Sequence, residues 1–365
     1  MDDCLQERNN MVTKKDLCIL HIGTEKTAST TIQENFYSGV KDKRVLYPDL
    51  GSVNHNIQLF GLFLRKIRNL YFFQENDFSI NEVEIYRKNI KKKLELNFLD
   101  SSKSIIILSA ESLAVSTKEE IIDMKHYLSK FFNKILIICY VRPAQSFSSS
   151  AFQQRVKYHK LSKFDYSLIF RYKHLDNYID VYGDENVKII PFIPRLFPDG
   201  DILQDFCLQT GIEIQKSRIK KSNESLSKEA ISILFTYNYH KNVKTDFGKK
   251  NAIIQNELVE RIRVIGNEKF QFSGELIQNW VKNYFEDDYT WLLNRINPQD
   301  RKYFELDSLQ KGVSTEIELM EYATNSIEQL ASLVKPNLID FELSKHPQTV
   351  AKLVNKLRIQ IASEL

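Results

Sequence analysis

The sequence predicts an α/β fold, with a central parallel sheet flanked by helices and a mainly helical C-terminal extension. Short aliphatic runs of strand length alternate with amphipathic patterns of helical period, and polar loops follow the runs. Strands that alternate with helices favour a parallel sheet. The predicted strands are Leu17–Ile22, Ser104–Ser109, Ile135–Val141 and Val187–Pro191.

Helical periodicity accounts for most of the remaining chain. Between the strands it predicts helices at Thr30–Tyr37, Asn81–Phe98, Lys118–Phe132 and Gln145–Lys157. Beyond residue 210 no strong strand pattern follows, and helices are predicted at Ser225–Tyr239, Ala252–Ile265, Gly274–Phe285, Ile317–Val334 and Thr349–Glu364. We therefore expect a polar N-terminal segment (1–16), an α/β core (17–210) and a mainly helical extension packed on that core (211–365).

Composition excludes several classes of protein. Over 365 residues the formal net charge is only +4, which does not favour a nucleic-acid partner but permits a local basic pocket. The five basic residues within Arg87–Lys93 are interpreted as a solvated helix face. No apolar run approaches the ~18 residues of a membrane span, so no integral membrane segment and a cytoplasmic location are predicted.

Cysteine and histidine spacing argues against a metal. The four cysteines (Cys4, Cys18, Cys139, Cys207) are far apart, and Cys18 and Cys139 lie in apolar runs, as buried free thiols do. The seven histidines form no HxxxH or HExxH pattern. We expect no bound metal.

The loop after the first strand has the composition of an anion site. Gly23 follows the strand, and the loop continues through Lys26 into a helix whose first turn is rich in hydroxyls: Thr27, Ser29, Thr30 and Thr31. Amides at a helix N-terminus and its dipole favour negative charge, and a lysine adds a mobile cation. A helix N-terminus that only uses these hydroxyls as caps is the structural alternative. The loop is P-loop-like but lacks the glycine before lysine of a Walker A motif, which disfavours ATP or GTP chemistry.

At these residues the sequence resembles 3′-phosphoadenosine-5′-phosphosulfate (PAPS)-dependent sulfotransferases, whose 5′-phosphosulfate loop commonly reads HIGxxKTGSTxxQ. His21-Ile22-Gly23 and the run from Lys26 to Gln33 match that pattern. Ala28 replaces its usual glycine, which is tolerable where the backbone is not left-handed. The resemblance implies that PAPS is the donor and that residues Gly23 and Lys26–Thr31 bind it.

A second phosphate element follows the third strand. In the resembled family, an arginine at the end of this strand and a serine eight positions later bind the nucleotide 3′-phosphate; Arg142 and Ser150 have that spacing. Ser146, Ser148 and Ser149 crowd the same turn and leave the choice of serine open. The likeness continues through Val187–Ile214 and the segment Asn223–Ser227, and covers roughly residues 17–240.

Two residues are candidates for the general base that deprotonates an acceptor hydroxyl. His55 follows a predicted short strand whose last residues are Val45–Pro48. Related carbohydrate sulfotransferases often place a histidine in this region. Glu111 follows the strand Ser104–Ser109, and other glycan sulfotransferases use a glutamate. His55 is slightly preferred, because an imidazole titrates near neutral pH. Lys26 is predicted to stabilise charge on the transferred group.

The predicted function is therefore transfer of a sulfuryl group to an acceptor hydroxyl, on a glycan or a bacterial surface-polysaccharide precursor, without a metal. A P-loop kinase or nucleotide hydrolase is the alternative enzyme, and it predicts a Walker A motif and magnesium dependence. A non-catalytic nucleotide-binding protein is the third alternative, and it predicts one broken phosphate element. The acceptor itself and the oligomeric state cannot be inferred from these motifs.

Overall fold

The computed structural model describes residues 14–65, 72–73, 78–100, 102–167, 170–218, 225–240 and 248–365. Their contacts divide the chain into two compact units. The first takes the described residues of Met1–Arg142, Arg171–Lys221 and Asp287–Tyr303, and the second those of Pro143–Phe170, Ser222–Glu286 and Phe304–Leu365. The predicted division at residue 210 stays a prediction. Cys4, Asn223 and Glu224 lie outside the described residues.

The first unit contains a parallel five-stranded sheet. Its strands are β1 (Lys15–His21), β2 (Val45–Leu46), β3 (Ile105–Ser109), β4 (Phe132–Val141) and β5 (Val187–Pro191). Their order is β2-β3-β1-β4-β5, and every neighbouring pair is parallel. This confirms the predicted fold class. The carboxyl ends of β1, β3 and β4 consequently meet at one edge, where α/β proteins bind ligands.

Both faces of this sheet are buried, which explains why its strands are aliphatic throughout. Ile19, Ile107 and Ile138 face one side, in a core that also contains Phe36 and Phe206 from two helices. Alternate residues point the other way, and Cys18, Leu20, Ile106 and Leu108 are also fully buried.

The described residues form thirteen α-helices of six residues or more. They are α1 Ser29–Tyr37, α2 Ile80–Asp100, α3 Lys118–Leu128, α4 Ala144–Tyr158, α5 Asp176–Tyr182, α6 Ile202–Thr210, α7 Lys228–His240, α8 Asn251–Ile262, α9 Gly274–Tyr284, α10 Glu286–Arg295, α11 Glu316–Asn325, α12 Ile327–Ser332 and α13 Pro347–Glu364. A π-helical turn (Asn56–Phe60) and a 3₁₀ turn (Glu111–Val115) belong to the first unit. No helix among the described residues is long and apolar enough to span a bilayer.

The second unit is mainly helical. Helix α4 contributes Phe152, whose ring lies 5.0 Å from that of Phe272, 5.3 Å from Phe270 and 5.9 Å from Phe235. Helix α7, which carries Phe235, also packs against α11 and α13. An aromatic cluster and a central buried helix therefore organise this unit.

Two predicted helices differ from the structure by more than three residues or by an interruption. The predicted helix Lys118–Phe132 ends at Leu128, because Phe132 begins β4 and pairs there with Lys15 of β1. The predicted helix Ile317–Val334 is interrupted at Ser326, whose hydroxyl donates to the Tyr322 carbonyl 2.8 Å away. Such a bond to the preceding turn is a known cause of helix bending.

Candidate functional site

Gly23, the second residue after β1, brings the loop against Glu111. Its φ is +97°, in the region that favours glycine. A Cβ added at Gly23 would lie 2.9 Å from the Glu111 Cβ and 3.1 Å from its Cα, closer than side chains pack. Glycine is therefore required here both for conformation and for contact.

The start of the loop is fixed to β4. The Thr24 amide donates to the Tyr140 carbonyl at 2.7 Å, and the Tyr140 amide donates to the Gly23 carbonyl at 2.6 Å. The Thr27 hydroxyl donates to the Thr24 carbonyl at 2.6 Å and is buried. Thr27 can thus offer an anion its amide, while its hydroxyl holds the loop together.

The backbone of the loop is left-handed at two alternate residues, Lys26 (φ 64°) and Ala28 (φ 58°). Alternation of this kind is typical of concave amide nests that bind anions. Ala28 is also the N-cap of α1, so the loop leads directly into the helix N-terminus. Alanine was expected to be tolerable at residue 28 if the backbone there is not left-handed. The backbone of Ala28 is left-handed, so this condition is not met, and the Cβ costs about 1 kcal/mol there.

The hydroxyl residues in the first turn of α1 differ in accessibility. Ser29 is buried, Thr30 is exposed and Thr31 is half-buried. Thr30 and Thr31 are thus the two whose side chains remain accessible at the helix N-terminus.

Arg142, the residue after β4, contacts the same loop. Its Nη1 donates to the Lys26 carbonyl at 3.0 Å, and the Tyr172 hydroxyl donates to the Arg142 carbonyl at 2.6 Å. Burial lowers the pKa of the guanidinium to about 10. A cation whose charge is disfavoured by burial is stabilised by an anion beside it, so this corner of the first unit suits a phosphate.

Glu111 begins the 3₁₀ turn after β3 and is half-buried. Burial is the main cause that raises the pKa of its carboxyl, and the charge of Glu25 raises this pKa further. The charge of Lys26 and the polar side chains of Ser29 and Asn56 oppose that rise in pKa. The result is a carboxyl beside the loop lysine with a pKa above its ordinary value, which suits a proton acceptor.

His55, the other candidate base, is fully buried. Its Nε2 lies 3.0 Å from the Pro48 carbonyl, and its Nδ1 accepts from the Ser109 amide at 3.4 Å. The Tyr47 ring stacks on the imidazole at 4.5 Å. Burial lowers the pKa of His55 to about 4. Because both ring nitrogens have protein partners, this imidazole ties the segment before Asn56 to the end of β3.

The serine cluster after Arg142 belongs to the second unit, on α4. The Ser148 hydroxyl donates to the Tyr166 carbonyl at 2.6 Å, and the Ser149 hydroxyl accepts from the Phe272 amide at 3.0 Å. The Ser146 hydroxyl donates to the Pro143 carbonyl at 3.0 Å. Ser150 is half-buried. Its pairing with Arg142 around one phosphate stays a prediction.

Sequence reasoning gave no role to a buried polar group beneath the loop, formed by His21, Gln33 and Ser109. A detectable signal was present, since His21 and Ser109 each end an aliphatic strand with a polar residue. Within the described ranges, no group of three or more His, Cys, Asp or Glu side chains is arranged to hold a metal ion.

Comparison with known proteins adds little to this geometry. No family model matches the chain. An uncharacterized protein of Archaeoglobus fulgidus is 27% identical over 132 residues, which cover 33% of this chain and 35% of that protein. The chain thus spans about a third of the length of the curated relative it matches.

Among solved structures, a sulfotransferase from Alicyclobacillus acidocaldarius is 13% identical, with a TM-score of 0.37. The match covers 62% of this chain and 93% of that one. A likeness this low carries no argument about the activity of this chain, so the function is inferred below from the chain's own residues.

Proposed function

We propose that the protein transfers a sulfuryl group from PAPS to an acceptor hydroxyl. The observation that carries the proposal is the loop of residues 22–28, where left-handed Lys26 and Ala28 lead into α1 and Gly23 packs on Glu111. An anion cradle, a cation and a carboxyl of raised pKa thereby share one edge of the sheet. Together with the sequence resemblance at His21–Gln33, this combination favours transfer between an anionic donor and a hydroxyl.

In the proposed reaction the acceptor oxygen forms a bond to sulfur as the bond from sulfur to the 5′-phosphate oxygen of the donor breaks. Lys26 and the amides of Thr27–Thr30 would neutralise charge on the transferring group and the leaving phosphate, whereas the Thr31 amide donates to the Ala28 carbonyl at 2.9 Å. Glu111 would take the proton of the acceptor hydroxyl. The product nucleotide is 3′-phosphoadenosine-5′-phosphate (PAP). We prefer Glu111 to His55 as the base because both imidazole nitrogens already have partners.

Arg142 is proposed to bind the 3′-phosphate together with Ser150. The lowered pKa of the guanidinium supports an anionic partner for Arg142, and Ser150 is proposed as the second contact on the sequence spacing alone. Because Arg142 also donates to the Lys26 carbonyl, its removal could weaken nucleotide binding through the loop alone. A test must separate these two effects.

The test is calorimetric titration of wild type and Arg142→Ala with PAP and with AMP, which lacks the 3′-phosphate, in the absence of metal. If Arg142 contacts the 3′-phosphate, wild type binds PAP at least tenfold more tightly than AMP, and the variant loses that preference. If Arg142 only supports the loop, both ligands weaken equally. Arg65→Ala, at an exposed arginine paired with Asp123, is the matched control and should bind as wild type does.

The alternative enzyme and the binding protein give different outcomes. Tight binding of ATP with magnesium, and no preference for a 3′-phosphate, would replace the proposal by a P-loop kinase or nucleotide hydrolase. PAP binding without sulfate transfer from labelled PAPS to any hydroxyl compound would favour a non-catalytic nucleotide-binding protein. For the acceptor we propose a glycan or surface-polysaccharide precursor, and for the location the cytoplasm, both on the sequence resemblance alone.

A further inference from the structure

The ends of the donor loop converge on one buried hydroxyl, that of Ser109 at the end of β3. His21 ends β1 immediately before the loop, and its Nδ1 lies 2.8 Å from the Ser109 Oγ. Gln33 lies on α1 after the loop, and its Nε2 donates to the same oxygen at 3.1 Å. His21 and Ser109 are fully buried, and Gln33 is 1% exposed.

We infer that Ser109 is a positioning residue that clamps both ends of the segment 22–32 and so sets the distance between the donor loop and Glu111. His21 and Ser109 are register partners across β1 and β3. Two more contacts follow in the same direction. The Ala110 amide donates to the His21 carbonyl at 2.9 Å, and just beyond the strands Gly23 packs against Glu111. A shift at the Ser109 hydroxyl would therefore move the loop relative to the carboxyl.

The hydrogen bonds at Ser109 do not require a charged ring. Ser109 accepts from the Gln33 amide and shares a second hydrogen bond with His21 Nδ1, whose direction depends on the tautomer of the ring. Burial lowers the pKa of His21 to about 3, which keeps the ring neutral at physiological pH.

The composition of this cluster argues against packing alone as its purpose. Apolar side chains would fill the same space without desolvating polar atoms. Instead, His21 Nε2 is buried with no hydrogen-bond partner within the described residues, while the imidazole contacts the rings of Tyr140 and Phe206 edge-on. The fold thus keeps a buried polar cluster beneath the loop even though one of its nitrogens has no partner there. This indicates that the hydrogen bonds to Ser109 are what the fold retains the cluster for.

The main test compares Ser109→Ala with wild type by amide hydrogen exchange and by PAP titration. We expect exchange of the amides of residues 22–32 to rise at least tenfold, with little change in the strand amides of Ile106–Leu108. PAP affinity should fall about tenfold. A merely structural role would instead raise exchange across β1, β3 and the loop together, with no selective effect on residues 22–32.

Two further variants keep the test decisive. Ser232→Ala removes an equally buried serine hydroxyl, which has no hydrogen-bond partner within the described residues, and should change neither readout. If Ser109→Ala does not fold, Gln33→Met takes its place in the test. It removes only the bond on the α1 side of the loop and should give a smaller, loop-selective rise in amide exchange. Exchange and PAP affinity at wild-type values in Ser109→Ala would overturn the inference.

The affinity readout rests on the proposed function, whereas the exchange readout does not. If wild type fails to bind PAP while loop exchange still rises selectively in Ser109→Ala, the clamp stands and the sulfotransferase proposal falls. If wild type binds PAP and neither readout changes in the variant, the clamp falls and the proposal stands.

Discussion

Glu111 and His55 are two acid–base residues held close to β3, and their surroundings are opposite. His55 is fully buried, and its two nitrogens contact the Pro48 carbonyl and the Ser109 amide. Glu111 is half-buried beside Lys26 and Glu25, at the first residue of a 3₁₀ turn. The imidazole is saturated by protein partners, whereas the carboxyl faces the charges of the loop.

The ordinary pKa of a side chain therefore does not identify a base. Histidine is the better candidate by its ordinary pKa, but burial lowers the pKa of His55 to about 4. Glutamate is the poorer one, but burial and the charge of Glu25 raise the pKa of Glu111. Burial thus shifts the pKa values of the two side chains in opposite directions, and on this ground we prefer Glu111 to His55 as the base.

The largest effect is expected from Glu111→Gln, which should lower kcat by about 10²–10⁴-fold because the acceptor proton then has no base. His55→Gln should retain kcat within about tenfold in its folded fraction. The measurement is sulfate transfer from labelled PAPS by both variants. The reverse order of the two losses would make His55 the base.

The same assignment predicts a pH dependence. Since Glu111 must be ionised, kcat should fall as pH drops through its raised pKa, and this acid limb should be absent in Glu111→Gln but present in His55→Gln. A limb that disappears only in the histidine variant would contradict the assignment.

A second effect concerns stability in acid. His55 has a folded pKa of about 4 against about 6.5 when unfolded, so the unfolded chain binds more protons between these values. The contribution of neutral His55 to the free energy of unfolding should therefore be complete above pH ~6.5. It should fall by about 3 kcal/mol as pH drops to ~4. Urea titrations of wild type and His55→Gln at pH 7 and pH 4.5 measure this, and the variant should lose less. An equal loss would mean that His55 is not buried as a neutral ring.

A third effect separates close contact from backbone strain at the Glu111 side. Gly23→Ala places a Cβ against Glu111 and should lower the free energy of unfolding by about 2 kcal/mol or more, with weaker PAP binding. Gly211→Ala is the matched control, because φ is +69° there and no atom lies within 4 Å of the added Cβ. It should cost about 1 kcal/mol and leave PAP binding unchanged. Equal effects in both variants would remove the argument that Gly23 packs on Glu111.

The smallest effect is expected at Ala28, where glycine would relieve the left-handed backbone. Ala28→Gly should raise the free energy of unfolding by about 0.5–1 kcal/mol, since the relief of strain exceeds the entropy that glycine adds to the unfolded chain. Ala151→Gly, inside helix α4, should instead lower it by about 1 kcal/mol. Thermal unfolding of both variants measures the contrast, and a destabilised Ala28→Gly would contradict the left-handed assignment.

The parallel sheet could be predicted from sequence because its strands are buried on both faces. Runs such as Leu17–Ile22 are then almost wholly aliphatic, and the structure places strands at each of the four predicted runs. The loop after β1 was also visible, since glycine, lysine and hydroxyl residues are consecutive there. Helix ends were less visible: Phe132 continues an apolar pattern but pairs in β4.

Residue type and local spacing were enough to predict the parallel strands, most of the helices, the loop of residues 22–28 and the two candidate bases, but not the helices Asp176–Tyr182, Ile202–Thr210 and Glu286–Arg295. The folded chain was needed to show that Gly23 packs on Glu111, that both nitrogens of His55 have protein partners, and that His21 and Gln33 share the hydroxyl of Ser109. These contacts join residues that are up to 88 positions apart. Local patterns carry no information about such partners, and burial of a particular nitrogen or carboxyl is fixed only when the strands pair.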